Sequence, residues 1–301
     1  MRIAYIILAH KLPEQLVRLV RKLDTGTGWF LIHVDKQTDH ATYRKMREPL
    51  GALQNVHFLE RHACHYGDYS ILEATLKGIR KIWALGLPFD YVVTLSGQDY
   101  PIKSTNHIQD FFEERKGQSF LEYFSLPDDH WKSENGGLDR VVYWHFFWRG
   151  QNYSLRKDSR FVAPLATLLG PTLTSMLPLE RKIPGNLKPF GGPAQWNLSR
   201  DCVEYLVETM QCDKALMQFF KHVSTSIEVF YQTVLLNSPL KNHIVNDDLH
   251  YIKWPPVDSP HPLILRKQDF AQFSRMDKLF ARKFDATVDA DVLDMIDQVT
   301  S

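Results

Sequence analysis

Glu228 is a carboxylate that could accept a proton. It follows Ser224, Thr225 and Ser226, which are typical helix N-cap residues, so it is predicted to lie in a first helical turn. There the helix dipole favours the ionised form, which is the form a general base needs. The more ordinary interpretation is a first-turn glutamate that only complements the dipole.

Arg282 and Lys283 are adjacent cations that could bind an anionic group. The alternative is a solvated surface pair. Neighbours on a regular strand point to opposite faces, so both side chains reach one ligand only if the backbone is irregular there. Asp289-Ala-Asp291 is the one Asp-x-Asp sequence, and it is predicted to begin a final helix rather than to hold a metal ion.

The histidine and cysteine positions do not match a zinc motif. His62, Cys64 and His65 lie close together, and His250 follows two aspartates, but neither group has a zinc-like ligand spacing. The sequence therefore predicts no metal ligands and no cofactor.

The elements that must position these residues indicate an α/β fold. Ile3–Ala9 is continuously apolar, as expected of a strand covered on both faces, and Pro13 begins a helix with apolar residues at helical spacing. Residues 30–34 are the next strand, which completes a βαβ unit and predicts a parallel sheet. Ser70 and Glu73 form a capping-box pattern before a second helix, and residues 91–95 supply the following strand.

The second half of the chain is less regular. Strand-like segments at 195–198 and 251–254 predict a mixed sheet, and the polar stretch 125–159 predicts a loop. In doubly wound sheets, ligands bind beyond the carboxyl ends of the strands, which places His10, Asp35 and Asp99 near one another and predicts a nucleotide site. Gly-x-Gly-x-x-Gly after the first strand and Gly-Lys-Ser/Thr are both absent, so dinucleotide binding and P-loop chemistry are not supported.

Composition excludes some functions. The 36 Lys and Arg balance 35 Asp and Glu, so the formal charge of +1 offers no basic field for nucleic acid. Three scattered cysteines form no disulfide framework, and the apolar opening is too short to span a bilayer, so a cytoplasmic location is predicted. Arg18, Arg21 and Lys22 on one helix are a candidate contact to the inner face of a membrane, with a solvated helix face as the alternative.

Six segments run in order along nearly the whole chain: Ile7-Leu-Ala-His10, Leu31-Ile-His-Val-Asp-Lys36, Ser96-Gly-Gln-Asp-Tyr-Pro-Ile102, Gly191-Gly-Pro-Ala-Gln-Trp196, Ser226-Ile-Glu-Val-Phe230 and Leu279-Phe-Ala-Arg-Lys-Phe-Asp285. Each is weak alone, and Phe-Ala-Arg-Lys-Phe-Asp is the most specific. Together they resemble the core-2/I-branching β-1,6-N-acetylglucosaminyltransferase and peptide O-xylosyltransferase family, glycosyltransferase family 14. The chain is similar to a trimmed bacterial member without an anchor or stem.

The resemblance implies a GT-A-like nucleotide-sugar fold, a UDP-sugar donor and inversion at the anomeric carbon without a divalent ion. It implies that Glu228 is the catalytic base and that Arg282 and Lys283 take the place of a metal on the diphosphate. One glycosyltransferase domain, 1–301, is expected, with a nucleotide-binding half, 1–124, and an acceptor and catalytic half, 125–301.

Further site residues carry over from the family. The implied donor-binding residues are Leu8 and Asp35 on the uracil side, His65, Tyr66 and Gly67 along the nucleotide, and Asp139 and Arg140 near the diphosphate or sugar. The implied positioning residues for donor or acceptor are Asp99, Gln195 and Trp196. Each has an ordinary structural alternative. Tyr66 and Gln195 depart from the tryptophan and aspartate of xylosyltransferases, which puts the donor sugar in doubt.

The predicted reaction is transfer of GlcNAc or xylose from a UDP-sugar to a saccharide, glycolipid or peptide hydroxyl in surface-glycan assembly. Trp144-His-Phe-Phe-Trp148 is a candidate acceptor platform, with core packing as the alternative. Two other functions stay open: a catalytically inactive glycan-binding relative, and another nucleotide-using α/β transferase, which would normally need metal-binding carboxylates.

Overall fold

The computed structural model describes residues 1–129, 131–133, 135–156, 159, 162–163, 167–168, 179–256, 259 and 261–300. Strands and helices alternate through the first part of the chain: β1 (Ile3–Ala9), α1 (Pro13–Leu23), β2 (Trp29–Val34), α2 (His40–Leu50), β3 (Val56–Phe58), α3 (Ser70–Ala84), β4 (Tyr91–Ser96), β5 (Tyr100–Pro101), α4 (Thr105–Glu114), β6 (Ser119–Phe120) and β7 (Phe124–Ser125).

Shorter elements follow: α5 (Asp139–Val142), β8 (Trp144–Trp148), β9 (Gln151–Leu155), β10 (Phe190–Gly191), β11 (Asn197–Ser199), α6 (Arg200–Cys212), α7 (Lys214–Phe220), α8 (Phe230–Leu236), β12 (Ile244–Val245), β13 (His250–Ile252), α9 (Phe270–Phe273), β14 (Phe280–Arg282) and α10 (Asp291–Val299). The described residues also contain 3₁₀ turns at Pro184–Asn186, Ser226–Glu228, Pro239–His243 and Lys267–Asp269.

A seven-stranded sheet in the order β12-β6-β11-β4-β1-β2-β3 forms the centre of the protein. β1 pairs in parallel with β2 and β4, and β2 pairs in parallel with β3. β11 runs antiparallel to β4 and β6, whereas β12 is parallel to β6. The predicted α/β fold with a mixed, mainly parallel sheet is therefore confirmed, and the antiparallel strand comes from the irregular second half of the chain.

β1 is buried on both faces because its side chains alternate between two apolar clusters. Ile6 packs with residues of α3 and α6, while Ile3 and Ile7 pack with residues of α1 and α10. Each such buried side chain contributes about 1.5–3 kcal/mol. α3 lies so close to β1 that a Cβ on Gly78 would come within 2.8 Å of Ile6 Cδ1. The continuous apolar run thus reflects two covered faces, as predicted.

The start of α3 differs from the predicted capping box. Ser70 is the first helical residue rather than the cap, and Tyr69 at the N-cap position makes no side-chain cap bond. The Ser70 hydroxyl donates to Asp68 and accepts from His65 N at 2.7 Å, so it bonds to the preceding loop rather than to the helix. Glu73 pairs instead with Arg80 at 2.7 Å.

The stretch predicted as a loop, 125–159, contains α5 and the β8–β9 hairpin in its described part. The hairpin turns through Arg149 and Gly150, which both have positive φ, as a two-residue turn of type I′ requires. The loop prediction is wrong because cross-strand pairs that include aromatic side chains, such as Phe146 opposite Tyr153, stabilise a two-stranded ribbon.

Helix α1, which was proposed for membrane contact, forms ion pairs with helix α10. Arg18 pairs with Asp294 and Asp297, each at 2.7 Å, and Lys22 pairs with Asp297 at 3.2 Å. Two of the three cations are thus engaged within the protein, and membrane contact stays a prediction. In the described part of the chain, no helix is both long and apolar enough to cross a bilayer.

Candidate functional site

The candidate site lies beyond the carboxyl ends of β1, β2 and β4. Leu8 is opposite His33 of β2 and Ser96 of β4. The carbonyl of Leu8 accepts a hydrogen bond from Gly97 N at 2.8 Å, and Asp35 N donates to Ala9 O at 2.9 Å. The parallel register therefore brings Leu8, Asp35 and the start of the Ser96–Asp99 segment to one edge of the sheet.

Asp35 holds the segment that follows β3. Its Oδ1 accepts from Gln37 N at 2.8 Å and, over 3.4 Å, from Cys64 N. Gln37 Nε2 in turn donates to Cys64 O at 3.0 Å. Asp35 is thus a strand-end residue that fixes the loop leading into His65, Tyr66 and Gly67.

That loop, His65-Tyr66-Gly67, joins two distant parts of the chain. The His65 ring stacks on Phe147 of the hairpin with 3.9 Å between centroids, and Asn152 Nδ2 donates to Tyr66 O at 2.7 Å. Thr225 N donates to Gly67 O at 2.8 Å. The Tyr66 side chain itself is 64% exposed, so it is available to a ligand.

Glu228 ends a short 3₁₀ turn rather than beginning an α-helix. Thr225 has φ +49 and makes no cap bond, and α8 begins only at Phe230. The buried Ser226 directs its hydroxyl to Asp68 O at 3.5 Å instead of to the turn. The predicted N-cap is therefore wrong, because Thr225 and Ser226 make hydrogen bonds to the neighbouring segment at Gly67 and Asp68 instead of capping a helix.

An ion pair with Arg140 dominates the surroundings of Glu228. Arg140 Nη1 donates to Glu228 Oε2 at 2.8 Å, and each side chain is 24% exposed. The guanidinium also lies 3.8 Å from the centroid of a Trp131 ring. Although Arg140 and Arg282 lower the pKa of Glu228, burial outweighs them and raises it. The expected stabilisation of the ionised form by a helix dipole is thus not the main effect.

Arg282 is brought to the site by a small second sheet, β13-β14-β5. Ala281 pairs with Tyr100, which follows Asp99 directly. Arg282 Nε lies 3.1 Å from Oδ1 of Asp99, a fully buried carboxylate that also accepts from Ser96 N at 2.7 Å and Ser96 Oγ at 2.8 Å. Asp99 therefore positions Arg282.

Lys283 lies just past the end of β14, where strand alternation no longer applies, and the peptide bond between Arg282 and Lys283 is cis. Burial lowers the pKa of Lys283, and the positive charges of Lys11 and Arg282 lower it further. Burial, Lys11 and Lys283 likewise lower the pKa of His10. Lys11, Arg282 and Lys283 thus form a cationic cluster, in which repulsion between like charges would be relieved by a bound anion.

Lys11 was not expected at this site. It pairs with Asp285 at 3.1 Å and is 42% exposed. Its position directly after the His10 motif was the signal that could have placed it there. No hydrogen bond or ion pair is found for Lys283 Nζ within the described residues.

Three other residues implied by the resemblance contribute differently. The Asp139 carboxylate accepts from Ser133 Oγ at 2.7 Å, so it stabilises the turn before Arg140. Trp196 is fully buried and packs on Tyr231 at 4.8 Å between centroids, and Gln195 is 7% exposed. Trp196 is therefore a core residue that positions its neighbours, while a ligand contact by Asp139 or Gln195 stays a prediction.

The aromatic run of β8 is not core. Trp144 is 37% exposed and Trp148 is 52% exposed, whereas Phe147 on the opposite face packs on His65. The hairpin is thus attached to the loop beside Glu228 and presents tryptophans at the surface. An acceptor platform stays a prediction.

Sequence spacing also did not reveal a group formed by His33, His62 and Cys64, whose potential ligand atoms lie within 4.8 Å of one another. His33 is 29 residues before His62 in the chain. The available signal was a histidine within an otherwise apolar, buried strand.

Comparison with known proteins agrees with the ordered motifs. The model of the family described as "Branch: Core-2/I-Branching enzyme" matches residues 3–276. Xylosyltransferase 2 of Mus musculus is 27% identical over 317 residues, covering 98% of this chain and 33% of the relative. Xylosyltransferase 1 of Homo sapiens is 25% identical over 315 residues, covering 98% and 30%. The chain spans about a third of the length of the curated relatives it matches.

Similarity to solved structures is remote. S. aureus TarS 1-349 in complex with UDP-GlcNAc has a TM-score of 0.28 and 16% identity, covering 44% of this chain and 39% of that chain. The 4-diphosphocytidyl-2C-methyl-D-erythritol synthase of Anaerococcus prevotii has a TM-score of 0.32 and 10% identity, covering 72% and 80%. Neither bears on function. The family match spans most of the sequence, and the protein therefore belongs to the Core-2/I-Branching enzyme family of glycosyltransferases.

Proposed function

We propose that this protein transfers GlcNAc or xylose from a UDP-sugar to a hydroxyl of a saccharide, glycolipid or peptide, with inversion and without a divalent ion on the diphosphate. One observation carries the proposal. Glu228 accepts a hydrogen bond from Arg140 at 2.8 Å and responds to the charge of Arg282. Arg282 lies 3.1 Å from the buried Asp99 and belongs to the cationic cluster with Lys11 and Lys283.

Glu228 acts as the base in this proposal. Its carboxylate takes the proton of the acceptor hydroxyl while the acceptor oxygen forms a bond to the anomeric carbon. A raised pKa supports this role because a carboxylate with a higher pKa holds the proton more strongly. The positive charge of Arg140 favours the ionised carboxylate, and its hydrogen bond of 2.8 Å fixes the orientation of the carboxylate.

The cationic cluster stabilises the leaving group. As the bond between the anomeric carbon and the diphosphate oxygen breaks, its electron pair leaves with UDP, and negative charge grows on the diphosphate. Arg282 and Lys283 compensate that charge. The ion pair with Asp99 holds the Arg282 guanidinium in position, so that the guanidinium needs little reorganisation during the reaction.

The donor side of the proposal rests on the loop around Tyr66. Leu8, Asp35 and His65-Tyr66-Gly67 meet at the ends of β1 and β2, which supports a nucleotide beside the exposed Tyr66 ring. Tyr66 and Gln195 leave GlcNAc and xylose as equal candidates for the sugar.

A donor screen tests the proposal. The purified chain is mixed with individual UDP-sugars in excess EDTA, and released UDP is measured with and without saccharide and peptide acceptors. We expect release from UDP-GlcNAc or UDP-xylose. The anomeric proton coupling of the product, followed by NMR, should show inversion. Retention of configuration, or turnover that requires Mn²⁺ or Mg²⁺, would contradict the mechanism.

A further inference from the structure

The Trp131 side chain lies against two glycines from distant parts of the chain. A Cβ added at Gly137 would come closer than 3.0 Å to Trp131 Cε3, and one added at Gly191 would come closer than 3.0 Å to Trp131 Cη2. Carbon atoms in contact are about 3.5–4.0 Å apart, so neither position has room for a side chain beside the indole. Gly137 also has a positive φ, whereas Gly191 does not. The indole is therefore the reason for glycine at position 191.

These two glycines belong to the segments that carry the ion pair between Arg140 and Glu228. Gly137 is three residues before Arg140, and Arg140 N donates to Gly137 O at 3.2 Å. Gly191 is followed by Gly192, whose N donates to Glu228 O at 3.0 Å. Because the indole contacts both segments, it sets the separation between the backbone of the cation and the backbone of the carboxylate.

The indole also contacts the charged end of Arg140. The guanidinium carbon lies 3.8 Å from the centroid of a Trp131 ring, which is within the range of a cation–π contact. A guanidinium that stacks on an aromatic face keeps its in-plane donors available, and Nη1 donates to Glu228 Oε2 at 2.8 Å. Phe124 packs edge-to-face on Trp131, with 5.2 Å between the ring centroids. The indole is thus a rigid support for the guanidinium.

We propose that Trp131 is a positioning residue that holds the Arg140 guanidinium on the carboxylate of Glu228. The proposal rests on the proposed function, because Trp131 acts on the transfer only through the base. Within the described residues, the ionisable groups that face Glu228 are Arg140 on α5, Arg282 at the end of β14 and Tyr66 in the loop after β3. Without the indole, the guanidinium can move away from the carboxylate, which then takes up its proton at higher pH.

The pH–rate profile tests this role. Trp131→Leu removes the aromatic face, so the acidic limb of kcat/KM for UDP release should move to higher pH, whereas Trp131→Phe keeps a face and should move it less. Gly191→Ala displaces the indole without removing it and should move the limb in the same direction. Trp83→Leu, at a 42% exposed tryptophan on α3, is the matched control and should leave the limb in place. A limb that stays in place in Trp131→Leu, or moves to lower pH, would overturn the proposal.

A second background shows whether Trp131 acts through Arg140. Trp131→Leu should shift the limb in the otherwise wild-type protein and should cause no further shift in Arg140→Met, because the cation that the indole positions is then absent. Equal shifts in the two backgrounds would mean that the indole acts on Glu228 without Arg140, and the positioning role would be wrong.

Unfolding in denaturant tests the contact without any sugar nucleotide. Because Trp131 and Arg140 are in contact, the double variant Trp131→Leu/Arg140→Met should lower the denaturant midpoint by less than the sum of the two single losses. Additive losses would overturn the proposal, whatever reaction the protein catalyses. Non-additive losses in a protein that releases UDP from no donor would support the contact and contradict only the proposed function.

Discussion

Replacing Arg140 with methionine is expected to move the acidic limb of the pH–rate profile to higher pH. Arg140 lowers the pKa of Glu228, so its removal raises that pKa further, and the base is protonated at a pH where the wild-type carboxylate is still ionised. The lost bond is charge-assisted, 2.8 Å long and 24% exposed on each side. Such bonds contribute about 1.5–3 kcal/mol, which corresponds to about a 10- to 150-fold loss of kcat/KM on the acid side of the limb.

The assay is UDP release at subsaturating donor across the pH range, since kcat/KM reports the ionisation of the free enzyme. Arg140→Lys keeps the charge and should move the limb less. Arg275→Met, at an exposed arginine, is the control and should leave the profile unchanged. A limb that stays in place in Arg140→Met, or moves to lower pH, would refute the view that Arg140 controls the protonation of Glu228.

Three further changes test the surroundings of the site. Asp99→Asn removes the buried charge that is paired with Arg282 and should weaken UDP binding, measured by calorimetry; unchanged binding would exclude the positioning role. Because the pKa of Lys283 is lowered, its side chain should lose its positive charge at a pH below the usual lysine pKa of about 10.4, and UDP affinity should fall with it. In Lys283→Arg the charge persists, so UDP affinity should not fall over this pH range. Identical pH profiles of UDP affinity in the wild type and in Lys283→Arg would count against this role of Lys283. Gly67 has φ +90, and a Cβ added there would lie 2.5 Å from Asn152 Nδ2, so Gly67→Ala should lower the free energy of unfolding by about 1–3 kcal/mol. The double variant Gly67→Ala/Asn152→Ala should recover part of this loss. An unchanged denaturant midpoint in Gly67→Ala would be inconsistent with strain at this glycine.

The centre of the fold could be predicted because its signals are local. The run Ile3–Ala9 has two covered faces, and Pro13 begins the next helix at its first position. Short elements were harder to predict from the sequence. The β8–β9 hairpin follows from positive φ at Arg149 and Gly150, and Arg149 is not a residue type that predicts such a turn.

The candidate site depends on contacts between distant parts of the chain. Arg140 and Glu228 are 88 residues apart, and no periodic pattern links them. The family resemblance implied a site role for each residue, but the ion pair and the burial that raises the pKa of Glu228 arise from tertiary packing. For the same reason, the sequence suggested an N-cap before Glu228 that Thr225 and Ser226 do not provide.

His33 illustrates a further limit of spacing arguments. Metal motifs are recognised from ligands close together in sequence, whereas β2 and the segment after β3 are brought together by parallel pairing. Lys11 joins Arg282 and Lys283 in the same way, through the edge of the sheet.

The most direct test of the account compares UDP binding and sugar transfer in Glu228→Gln. The variant keeps the size of the side chain but cannot take a proton, so we expect transfer to fall by about 10²–10⁴-fold while UDP affinity stays close to that of the wild type. Glu204→Gln on the surface of α6 is the matched control and should behave as wild type. Transfer at the wild-type rate in Glu228→Gln would contradict the assignment of Glu228 as the catalytic base.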